Sequence, residues 1–170
     1  MKNELDLAKQ LMKLRGIHVR DVPDSRVDSI ETITRRRMTR VDSDDFLTNG
    51  LWADNMVALS TKIARLAITV ASTLAQFGLD PDINNFAEAV TDLTEKIRGD
   101  LDKALLNQDW ALVMRYSIEL EIMWYGVCGS LSIPYYNVLE SVHADYMKGE
   151  PENPDAVREL LASAGLLERK

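Results

Sequence analysis

Three observations predict an all-α protein. Three segments repeat apolar residues every three or four positions, the connections between them carry helix-capping residues, and runs that would mark strands are nearly absent. Connections of about two to five residues force neighbouring helices to run oppositely. The expected architecture is therefore an antiparallel bundle of four main helices over residues 51–149. A basic N-terminal extension over 1–50 precedes it, and a tail over 150–170 with a short C-terminal helix follows.

The chain opens with a predicted helix over 3–15 and a loop over 16–24, after which RVDSIETITRRRMTR (26–40) has no pattern that decides its structure. The first main helix, 53–77, carries the stripe Met56, Leu59, Ile63, Leu66, Val70, Leu74 and Phe77, with Gly78 where a C-terminal cap belongs. Asp80-Pro81, an acid followed by proline, opens a second helix over 82–106, whose stripe is Ile83, Phe86, Val90, Leu93, Ile97, Leu101, Ala104 and Leu105. Asp109 caps a third over 110–131. Its Leu112, Val113, Ile118, Ile122, Met123, Trp124, Val127 and Leu131 leave few polar positions in the second half, so this helix is expected to be central, with Ile122 and Trp124 largely buried. Pro134 opens a fourth helix that ends at 148 before Gly149, and Asn153-Pro154 opens a fifth that stops at Gly165.

At 170 residues and 46% hydrophobic content the chain is long enough for one domain with a core. A single cysteine, Cys128, excludes an internal disulfide and a cysteine-rich zinc site, and points to a reducing compartment, the cytoplasm. The first 15 residues mix charges and lack the apolar core of an export signal. Residues 122–139 form an uncharged run near the length of a membrane span, but Gly126, Gly129, Ser132 and Pro134 interrupt it, so a buried helix followed by a turn is the reading and no membrane partner is expected.

The net charge of −7 conceals an asymmetry: residues 1–40 hold ten Lys/Arg against six Asp/Glu, while the remainder holds ten against 21. Four arginines, Arg35, Arg36, Arg37 and Arg40, fall within six positions. They suit either phosphate contact, since Arg offers paired donors, or docking of a basic arm on the acidic body. With no DNA-binding motif present, docking is favoured over nucleic acid.

Residues 104–148 carry, in order, Asp109, an apolar stretch to Gly126, the turn Ser132-Ile133, Val142-His143 and Met147. In these features the segment resembles the C-terminal half of the MazG-like and phosphoribosyl-ATP pyrophosphohydrolase-like proteins. The resemblance implies an all-α, oligomeric fold. It also implies a nucleoside triphosphate or related phosphorylated nucleotide as ligand and a cluster of carboxylates holding Mg²⁺, an oxygen-seeking cation that bridges phosphates while water cleaves between the α and β phosphates. In that register the family's Glu-x-x-Asp pair falls on Tyr116 and Glu119, and its upstream acidic motif falls on Lys96, Ile97 and Asp100. Glu119 is then the expected catalytic residue and metal ligand, joined by Asp100 and by Asp92 or Glu95. Those two belong to a row, Glu88, Asp92, Glu95 and Asp102, whose spacing equally suits a solvated helix face. His143, Tyr146 and Lys148 of the last motif, with Arg37 from the basic arm, are the candidate phosphate or substrate contacts. Independently of the resemblance, Glu119 and Glu121 flank a mostly apolar helix, so at least one is expected inside, beside a cation or an arginine. The alternative function is a non-catalytic descendant, a nucleotide-binding, regulatory or structural oligomer.

Overall fold

A computed structural model describes residues 1–23, 29–45, 55–81 and 94–167, without the side chains of 29, 43–45 and 94–98. The described residues form seven helices and no strand: α1 (Lys2–Leu14), α2 (Ser29–Asp45), α3 (Met56–Gln76), α4 (Thr94–Leu106), α5 (Trp110–Leu131), α6 (Tyr135–Met147) and α7 (Pro154–Ser163). The all-α class is as the periodicity predicts. The first half of the predicted 82–106 helix, and Asp92 with it, lies outside the described residues.

Local chemistry explains the boundaries. Asn55 caps α3 by accepting from the amides of Val57 and Ala58 at 2.9 and 3.4 Å. Asp109 caps α5 through the Leu112 amide at 3.3 Å, and Asn153 caps α7 through the Asp155 amide at 3.0 Å with Pro154 in the first turn. Gly78 ends α3 for two reasons at once. Its φ of +71° favours glycine, and a Cβ there would collide with the Val22 carbonyl, because the loop after α1 crosses at this point. That crossing is fixed by the Arg20 amide on the Ala75 carbonyl at 3.2 Å and the Arg20 guanidinium on the Gln76 carbonyl at 2.6 Å.

The helix that the others share is α3, which packs against α1, α2, α5, α6 and α7. This corrects the expectation that α5 is central. From Ile63 to Gln76 every residue of α3 except Arg65 is buried, and Ala64, Ala67, Ala71 and Ala75 let neighbours approach on several sides. By length and composition α3 is also the one described helix able to cross a membrane, but 78% of its apolar window is buried among the other helices, as in a core helix. Helix α5 has a wet side instead. Trp124 is fully buried, as expected, whereas Ile122 is 43% exposed, which overturns its predicted burial. The two residues stand on opposite sides of a 3.6-residue helix, and only one side can meet α3 and α4. Ile122 lines an open apolar groove of about 400 Å³ with Leu59, Met123, Val127 and Leu131.

The described part of the 26–40 segment, within α2, is held by polar contacts. The inward face of α2 is Glu31, Thr32, Arg35, Thr39 and Asp42, and it meets a polar stripe on α3, Thr69, Thr73 and Gln76, spaced to share one face. Thr39 and Thr73 share a hydrogen bond of 2.9 Å, Thr69 donates to Asp42, and Gln76 donates to Glu31. Arg36 makes a two-pronged ion pair with Asp102 of α4 at 2.7 and 2.8 Å. The basic arm thus docks on the acidic body. Helix α1 joins the core through Leu5, Ala8, Leu11 and Met12.

The contrast on α5 has a measurable consequence. Trp124→Ala removes a fully buried indole and is expected to cost about 3–5 kcal/mol in urea unfolding, whereas Ile122→Ala should cost about 1 kcal/mol or less.

Candidate functional site

Two of the positions that the resemblance assigns to a metal, Asp100 and Glu119, stand on α4 and α5, which pack together. Asp100 of α4 is half-buried and accepts a hydrogen bond from the Tyr116 hydroxyl of α5 at 3.2 Å. Burial, and then the bond to Asp100, push the Tyr116 hydroxyl above its ordinary pKa, so it stays protonated and donates. One turn further along α5, Glu119 is only 3% exposed. The Arg115 guanidinium lies 3.4 Å from one of its oxygens, yet neither carboxylate oxygen has a hydrogen-bond partner. Residues 115, 116 and 119 reach one patch because spacings of three and four share a helix face.

These groups meet the test of a divalent site poorly. Magnesium takes oxygen ligands, and here a guanidinium stands beside one of the two described acids while a phenol holds the other. Among the described residues no three His, Cys, Asp or Glu side chains gather closely enough to hold a metal ion. Asp92 and the Glu95 side chain lie outside the described residues.

Glu121 faces a second buried cluster, so both flanking acids of α5 are inside. Its carboxylate binds the Met1 ammonium, which also lies 3.6 Å from Glu4. Burial raises the Glu121 pKa, and the ammonium opposes that rise only in part. Glu4 is fully buried and accepts from the hydroxyls of Tyr125 and, at 2.8 Å, Tyr135. Sequence reasoning missed Glu4, although a signal was present: it sits in register with Ala8 and Leu11 on the apolar stripe of α1, where an acid needs a partner.

The candidate phosphate contacts do not converge on these acids. His143 is buried and its Nε2–H donates to the Leu7 carbonyl at 2.9 Å, while burial lowers its pKa and favours the neutral ring. Tyr146 donates to Glu152, which also takes the Arg65 Nε–H at 2.6 Å. The two side chains on Glu152 fasten the α6–α7 connection to α3. Lys148 is exposed at the end of α6, and Arg37 is exposed on the outer face of α2.

With this geometry in place, the chain matches no protein-family model, no curated protein and no solved structure.

The Glu152 tie is testable by pH. Burial alone would raise its pKa, but Arg65 and Tyr146 outweigh it and hold the folded-state value below the ordinary one. The ionised group then stabilises the fold above its unfolded pKa, and this contribution is lost as pH falls through the folded value. Glu152→Gln should flatten the acid limb of stability against pH, measured by urea unfolding across the acid range. An unchanged limb would remove Glu152 from the account.

Proposed function

We propose that the chain is a MazG-like helical protein that has set aside metal-dependent hydrolysis and serves as a nucleotide-binding, regulatory or structural member of that type. The observation that carries this reading is the paired engagement at the α4–α5 contact. Arg115 lies 3.4 Å from Glu119, and the Tyr116 hydroxyl lies 3.2 Å from Asp100. Where the resemblance expects carboxylates to share a cation, each surviving acid is met by a side chain of its own protein. A guanidinium beside Glu119 raises the electrostatic cost of a dication, and the Tyr116 phenol is a far weaker ligand than the acid expected at that position. A cytoplasmic setting suits the reading, since a single cysteine leaves no internal disulfide to form.

A second reading, Mg²⁺-dependent pyrophosphohydrolysis of nucleoside triphosphates, is favoured by one observation. Both oxygens of the buried Glu119 lack hydrogen-bond partners, a costly state that a cation would relieve. In that reading Glu119 and Asp100 would hold the ion with Asp92 or Glu95, and the ion would supply charge neutralisation at the phosphates.

A pyrophosphate-release assay over the common ribo- and deoxyribonucleoside triphosphates, with Mg²⁺ or Mn²⁺, separates the two. No release is expected from the wild type. A ligand-dependent rise in melting temperature without release would identify the nucleotide that is bound. Metal-dependent release that Glu119→Gln abolishes, with the helical content unchanged, would overturn the proposal in favour of the enzyme.

A further inference from the structure

Helix α2 is built with its apolar side outward. Its inward positions, Glu31, Thr32, Arg35, Thr39 and Asp42, are all polar, because the stripe they meet on α3 is polar. Every apolar residue of α2 faces away from the body: Ile30 is 71% exposed, Ile33 54%, Met38 45% and Val41 58%. A surface helix ordinarily turns such residues to the core. Here the polar contacts to α3 and α4 fix the opposite rotation.

The outer face has a further property, which names its occupant. Reading inward from one end gives Ile30, Ile33 and Thr34; reading inward from the other gives Val41, Met38 and Arg37. Each pair, 30 with 41, 33 with 38 and 34 with 37, is equidistant from a point between residues 35 and 36. A two-fold axis through that point lays two α2 helices antiparallel, with apolar ends against apolar ends and polar centres together. Isologous pairing requires this self-complementarity, and a heterologous partner does not. We propose that α2 is a homodimerisation helix. In the dimer, Ile30 packs on Val41 of the second copy, Ile33 packs on its Met38, and Arg37 reaches its Thr34 hydroxyl. The apolar stretch spans about 17 Å of helix, at an interaxial distance of about 8–10 Å.

This inference does not rest on the nucleotide reading, since α2 packs on α3 and α4 by its other face. One helix from each copy makes a small interface, so the association is weak, in the micromolar range. It also has an electrostatic signature. The charges nearest the axis are two like-signed Arg37 guanidiniums, so added salt should screen their repulsion and tighten the dimer, whereas an acidic partner or an anionic membrane would be released by salt.

Sedimentation equilibrium on the full chain, from micromolar to near-millimolar concentration, gives the test. The wild type should dimerise, more tightly at higher salt, and Ile33→Asp or Met38→Asp should weaken the dimer at least about thirtyfold, as expected for an interface anchor. Because these side chains are exposed in the single chain, the melting temperature at monomeric concentration should stay unchanged. As a second measure, Thr34→Cys mixed with Arg37→Cys should cross-link on oxidation in preference to either variant alone. A monomer throughout would overturn the proposal, whether or not it binds anionic vesicles. So would a dimer that survives both α2 variants, including one that Ile122→Asp dissociates through α5.

Discussion

The burial of α3 from Ile63 to Gln76, broken only at Arg65, is the constraint on which the rest of the structure depends. A helix surrounded on most sides must be narrow and must find partners for most of the polar groups it carries. Four alanines, Ala64, Ala67, Ala71 and Ala75, meet the first demand. The second demand determines the neighbourhood: Thr69, Thr73 and Gln76 are buried, and unpartnered hydroxyls and amides would each cost of the order of 1–3 kcal/mol. Helix α2 supplies the partners. A polar stripe on the core helix thus recruits a polar helix face and leaves the apolar residues of α2 on the outside.

The same logic governs the buried acids. Glu4, Glu119 and Glu121 are each below 4% exposure, and each has a positive group close by or phenolic donors on it. Their compensation comes from different places: a neighbour one turn earlier on the same helix for Glu119, and groups far apart in sequence for Glu4 and Glu121. Local pairing at Glu119 lets a helix carry its own countercharge. The α1–α5–α6 cluster forms only when three helices assemble, which ties the docking of α1 to the rest of the core.

Where the candidate site differs from a divalent-metal centre, it does so in the chemistry of the side chains that stand beside its acids. Asp100 and Tyr116 meet across two packed helices, and Glu119 lies one turn further along α5 beside Arg115. A phenol and a guanidinium stand among them, and both are donors where ligands would have to be acceptors. The α6 residues are engaged elsewhere, His143 with α1 and Tyr146 with the connection to α7, so α6 serves as a structural fastener.

The sequence by itself determined the helical class and most helix boundaries, because these depend on local chemistry: apolar periodicity, Asp109 and Asn153 as caps, and Gly78, Gly149 and Gly165 at positive φ. It also placed one of Glu119 and Glu121 inside, since an acid on either flank of so apolar a helix has little room to reach water. Only the tertiary structure decided which helix is central, because α3 and α5 are both apolar and the choice turns on how closely neighbours can approach their small residues. It alone turned Ile122 outward and Trp124 inward, and it alone gave α2 its rotation. The apolar residues of α2, Ile30, Ile33, Met38 and Val41, point outward, so its rotation is chosen instead by polar partners more than 25 residues away in the chain.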